Sequence, residues 1–213
     1  MTSYGVTFDI QQPQRYDRTQ IAIRILIVIV ASILAAAVGW VHGALYLAIP
    51  VLAAILISQK GAQTYFAESE QNMGMWLRYV VATYAYMGLL TDKLPNEDPR
   101  QTMRFEITPS GEPTSGAVLL RIITAIPHFI VLLLLGIVAG LLTLVAAIMI
   151  LVNETYPAGI YDFLRGYLRW EARVLAYLAG FVQDYPPFAF DTGSELAGAQ
   201  QLPPGNGAAP DAP

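Results

Sequence analysis

The 213-residue sequence contains no cysteine, which excludes disulfides, thiol catalysis and thiolate metal sites. Histidine is nearly absent as well: His42 and His128 are the two it has, expected at different depths, so no metal site is expected. Charge is scarce, at 13% of residues, about half the roughly 25% of an ordinary soluble domain. The net charge of −4 has the wrong sign for a nucleic-acid surface. Residues 1–20 are polar and lack the short apolar stretch and cleavage site of a signal peptide, so none is expected. Gly-Ala-Gln-Thr at 61–64 lacks the Lys and the spacing of a phosphate loop. No nucleophile constellation or nucleotide fingerprint is present. The expectation is a protein that is not an enzyme and holds no cofactor.

What the chain has is apolar length. Hydrophobic residues make up 55%, and the mean hydropathy is +0.48. No formal charge lies between Arg24 and Lys60, a run of 35 residues, or between Arg121 and Glu154, a run of 32. About 20 apolar residues suffice for one crossing of a membrane. Each run is too long for one upright helix and slightly short for two. The expected fold class is therefore an all-α membrane protein with short cytoplasmic β-strands. Two parallel repeats are expected, each a transmembrane hairpin plus an interfacial amphipathic helix. The hairpins fall at about 21–58 and 118–152, with turns near 40–43 and 136–140. The interfacial helices fall at about 72–91 and 161–183. A hairpin that dips in and returns to the same face is the alternative to one that spans.

The repeat rests on spacing. At an offset of 97, Phe8, Asp9 and Ile10 match Phe105, Glu106 and Ile107, and Arg24 matches Arg121. At an offset of 92, Gly88, Asp92 and Pro95 match Gly180, Asp184 and Pro187. This divides the chain into units 1–95 and 96–191 and a Gly-, Ala- and Pro-rich tail, 192–213, expected to be disordered. The alternating stretches Val6–Ile10 and Met103–Ile107 read as strands, and Phe188-Ala189-Phe190 is a further strand that could pair with one or the other into a small cytoplasmic sheet tying the units together. Even-numbered crossings make the repeats parallel. The turns hold no Lys or Arg, so the positive-inside rule places both termini in the cytoplasm.

Arg165, Arg169 and Arg173, four residues apart, form one stripe on a helix, flanked by Trp170 and Tyr177. Such a stripe binds anionic lipid headgroups or a partner protein, or else pairs with nearby acids and fixes the helix in place. Arg24 and Arg121 are candidates for structural ion pairs with Asp92 and Asp184, one pair per unit. Gly136 and Gly140 have a close-packing spacing but are expected to serve the turn.

The motif string Arg121-Ile-Ile-Thr-Ala-Ile-Pro-His128, then Tyr156-Pro157, Arg169-Trp-Glu-Ala-Arg173, and Gln183-Asp-Tyr-Pro-Pro-Phe188 resembles a bacterial membrane-protein family catalogued as domain of unknown function 4389. The second unit carries the likeness. The first keeps Trp76, Arg78, Gly88, Asp92 and Pro95 but has no Ile-Pro-His. The resemblance implies a membrane protein of the bacterial inner membrane and no activity. The expected function is a non-catalytic accessory or scaffold subunit of a larger membrane complex, whose partners are membrane lipids, anionic ones included, and other membrane subunits. The alternatives are a lipid-binding or membrane-shaping protein and a small transporter or channel component. The last is disfavoured because few polar residues are available to line a path.

Overall fold

A computed structural model describes residues 4–13, 15–34, 38–68, 72–95 and 98–193, and side chains outside 27–42. Seven α-helices and two strands are present among the described residues: β1 (Val6–Ile10), α1 (Arg18–Leu34), α2 (Val38–Lys60), α3 (Ala62–Ala67), α4 (Met73–Met87), β2 (Met103–Ile107), α5 (Ser115–Thr124), α6 (Ile126–Asn153) and α7 (Ala158–Leu178). Two of them, α2 from Gly43 onward and α6, are long and apolar enough to cross a membrane.

The strands pair antiparallel with Phe8 opposite Phe105. Phe8 and Phe105 are both buried; the alternation gives β2 one inward face, whereas β1 also buries Asp9 on its other face. The segment Phe188–Phe190 does not join them. It packs its rings on helices instead, Phe188 on His128 and Phe190 on Phe163.

Two expected turns are not where spacing put them. α2 already begins at Val38, so Gly39 and Gly43 lie within a helix; the orientations of Trp40 and His42 lie outside the described side chains. More consequentially, α6 runs unbroken through Gly136 and Gly140 for 28 residues. The second hairpin is thus replaced by one helix of about 42 Å at 1.5 Å per residue. The break falls earlier, at Ala125. Pro127 has no N–H to give the preceding turn, although Ala125 and Phe129 keep their bonds to Arg121 and Ala125. A pair of glycines four apart in an otherwise apolar helix costs propensity but does not end it.

α7 is also not the exposed amphipathic helix that the spacing suggests. Fifteen of its residues are buried, which makes it the central helix of the molecule. α6 lies on one side of it and β1 on the other: Tyr167 meets Gly136 of α6, and Arg169 Nε donates to Phe8 O at 2.9 Å. The helix ends at Gly180, which takes φ +82° and lets Phe181 N–H bond back to Ala176 O. A Cβ at Gly180 would sit 2.9 Å from Val118 of α5, so glycine there serves both the turn and the close approach.

Candidate functional site

The polar residues that the sequence offered as a surface are inside. Arg169 is 1% exposed, and Arg165 and Arg173 are buried as well. Arg169 donates to Phe8 O and, through Nη1, to Asp191 O at 2.6 Å. Arg165 pairs with Asp162 at 2.8 Å and reaches the Thr192 carbonyl. Arg173 pairs with Asp191 at 2.9 Å. A guanidinium has five donors in a fixed fork, and these three use theirs to hold β1 and the segment around Asp191 and Thr192 against α7. The stripe therefore does not face lipid headgroups. Of the three roles open to it, lipid headgroups, a partner protein or pairing inside the protein, the last is the one its geometry performs. Thr192 is an acceptor in this network, and residues 194–213 of the expected tail lie outside the described residues.

Trp170 and Tyr177 are buried too. Trp170 donates its indole N–H to His128 Nδ1 at 3.1 Å. The imidazole stacks on Phe188 with ring centroids 4.1 Å apart, and Tyr185 lies against it. His128 is thereby sealed in an aromatic cage formed by the Asp-Tyr-Pro-Pro-Phe motif. The indole donation places the proton of a neutral imidazole on Nε2.

The ion-pair candidates split. Arg24 does meet Asp92, at 3.3 Å; it also donates to Thr91 O and lies over the Tyr86 ring at 4.2 Å. Arg121 does not meet Asp184, which is exposed. Arg121 instead donates to Tyr177 O and Val182 O, the latter at 2.9 Å, and lies over the Tyr177 ring at 4.6 Å. A helix C-terminus leaves carbonyls without intrahelical donors, and each arginine supplies donors there.

A fixed spacing links these contacts. Arg24 and Arg121 are 97 apart, while their tyrosines, Tyr86 and Tyr177, and their carbonyls, Thr91 and Val182, are each 91 apart. Likewise Arg78 Nε donates to Phe105 O at 3.2 Å, as Arg169 does to Phe8 O. The helix ends thus align at 91, not the 92 suggested by Gly88 and Gly180. Leu89, at φ 64°, stands where Gly180 stands.

One cluster had no signal strong enough to single it out. Glu171 of α7 is buried, and Tyr46 and Tyr167 donate to its Oε1 at 3.3 and 3.1 Å. Burial pushes its carboxyl up to about 7, against the pull of the two tyrosine donors. Burial also raises Asp92, against donation from Asp17 N–H and the charge of Arg24. Glu171 forms the polar wall of an apolar trough of about 560 Å³ between α2 and α6. Its only sequence trace was an acid between two arginines, which reads equally well as a surface pair. Among the described residues no group of His, Asp and Glu could hold a metal ion.

The exposed face of α6 is apolar. Along α6, Ile130, Leu133, Ile137, Leu141, Leu144 and Ile148 are each more than half exposed. This three-and-four spacing makes one face. Leu120 and Ile123 extend it onto α5. The buried positions, among them His128, Leu132 and Ala139, make the opposite face.

Residues 115–189 match the family model described as a domain of unknown function, DUF4389. The match begins at the first residue of α5 and ends just past Phe188, and so takes in the Arg121 junction, the His128 cage and all of α7. No curated protein and no solved structure matches the chain.

Proposed function

We propose that the protein is a non-catalytic integral membrane scaffold, an accessory subunit of a larger complex in the bacterial cytoplasmic membrane, built from a duplicated unit with both termini cytoplasmic. The observation that carries this reading is a division of labour. The arginines of α7 hold a strand carbonyl, the carbonyls of Asp191 and Thr192 and acids of the chain itself, while among the described residues the exposed face along α5 and α6 is predominantly apolar. An exposed apolar face of that extent marks contact with lipid or with another membrane protein. The duplication is supported by the paired arginine contacts at constant spacing. The boundaries proposed for the units remain 1–95 and 96–191.

The test is purification of a tagged chain from native membranes in mild detergent. Stoichiometric membrane-protein partners are expected. A monodisperse protein that carries only lipid overturns the subunit reading. The alternative of anionic-lipid binding through Arg165, Arg169 and Arg173 is the weaker reading, because those side chains are buried.

A further inference from the structure

The position of the sheet bears on how α6 meets the membrane. α6 is about 42 Å long, against about 30 Å of hydrocarbon, so length alone permits a crossing. Its neighbours do not. Gly136, in the central part of α6, touches Tyr167 of α7. Two residues on, Arg169 holds Phe8 O of β1, and Tyr161 donates to Ile10 O at 3.1 Å. The sheet therefore lies level with the middle of α6, on the far side of α7. Among the described residues it has two strands; β1 is buried, with Phe8 O and Ile10 O held by Arg169 and Tyr161, and Phe105 O of β2 is held by Arg78. On β2 the Glu106 side chain is 61% exposed and pairs with Arg104.

If α6 stood along the membrane normal, this sheet would sit at mid-bilayer. The exposed charged pair on β2, Arg104 and Glu106, cannot be satisfied there: an ionised group taken into hydrocarbon costs several kcal/mol. Turned through a right angle, the same molecule has no such conflict. The apolar face of α5 and α6 then points into lipid and the sheet points toward water. Leu47 of α2 lines the same open trough as Leu133 and Ile137, so α2 widens that face.

We infer that α5 and α6 lie along a single leaflet, with acyl chains against their exposed face, so that the two ends of this helical stretch, Gly116 and Asn153, emerge at the same membrane surface. The inference rests on the membrane reading above and goes beyond it by replacing a crossing with one-sided embedding.

The absence of cysteine makes the test direct. Single variants Gly116→Cys, Gly140→Cys and Asn153→Cys place thiols at the two ends and on the exposed face, all at exposed positions; the two glycines have no atom within 4 Å of an added Cβ. A membrane-impermeant maleimide is applied to spheroplasts and to inverted vesicles. The expected result is that Gly116→Cys and Asn153→Cys label in the same preparation and not in the other. Gly140→Cys is expected to label only after detergent. Labelling of Gly116→Cys and Asn153→Cys from opposite sides overturns one-sided embedding and leaves membrane insertion standing. Release of the protein by alkaline carbonate overturns both. Should a variant fail to accumulate, polarised infrared dichroism of the unaltered protein in oriented bilayers decides the matter. Helix axes mostly in the membrane plane support the inference, and axes along the normal reject it.

Discussion

The two arginine junctions do the same job by different chemistry. Arg24 and Arg121 both lie on a tyrosine and both supply donors to carbonyls just past a helix end. Around Arg24 the acceptor set includes a carboxylate, Asp92; around Arg121 it is two backbone carbonyls. The difference shows that backbone carbonyls can hold a buried guanidinium as well as a counter-charge can. It also explains why a residue match can misplace a partner. Asp184 stands at the matching position in sequence, but the helix ends align one residue differently and leave it exposed.

The largest effect should come from removing the charge whose partner is an acid. Arg24→Met abandons Asp92 and Thr91 O and is expected to cost about 3 to 4 kcal/mol at neutral pH. Without Arg24 the carboxyl of Asp92 rises further, so this loss should shrink as pH falls and Asp92 takes up a proton. Arg121→Met leaves only carbonyls and should cost about 2 to 3 kcal/mol, with no such dependence on pH. Thermal unfolding in detergent between pH 5 and pH 8 measures both. Equal pH profiles for the two variants would break the comparison.

Glu171 has no counterpart in that comparison and gives the next largest effect. Its folded pKa is raised to about 7 from an ordinary carboxylate value. The stability it contributes is fully present below the unfolded value and is lost as pH rises to about 7. Glu171→Gln should remove this slope and gain on the wild type with rising pH, by about 2 to 3 kcal/mol at pH 8. Parallel curves for variant and wild type would show that the carboxyl titrates normally.

The junctions can be sharpened by double-mutant cycles. Arg24 and Asp92 should couple by about 1 to 2 kcal/mol, whereas Arg121 and Asp184 should be additive within about 0.5 kcal/mol. The helix ends give the smallest effects. Gly180→Ala should cost about 1 to 2 kcal/mol, because the position has positive φ and faces Val118. Gly88→Ala should cost less than Gly180→Ala, under about 1 kcal/mol, since Gly88 has φ −76° and an added Cβ would press on Tyr84 O of its own turn at 3.2 Å. A larger cost at Gly88 would restore the alignment at 92.

Much of the fold was legible. β1 and β2 followed from alternation, though not their pairing with each other, since alternation does not name a partner; α7 followed from its amphipathic spacing, and the Arg24–Asp92 pair from the equivalence of the repeats. The turn at Gly136 and Gly140 was not, because glycine is only a weak helix breaker when every neighbour favours the helix. The Arg165–Arg173 stripe was read on the correct helix but not on the correct side of the surface. A row of cations four residues apart looks the same whether it faces phosphates or strand carbonyls. Glu171 went unrecognised because its partners, Tyr46 and Tyr167, are 125 and 4 residues away, and only one of those spacings can be seen locally.

By itself the sequence determined composition-level facts: the absence of thiol chemistry, the charge-free lengths, the periodicity of each element and the paired spacing of its arginines. These depend on residues near one another in the chain. Tertiary structure alone decided which face each element turns inward, which carbonyls the arginines reach and where the sheet stands beside α6. Those outcomes depend on hydrogen-bond acceptors brought together from distant segments. The same arginine is a lipid anchor on an open surface and a structural clamp in an enclosed one.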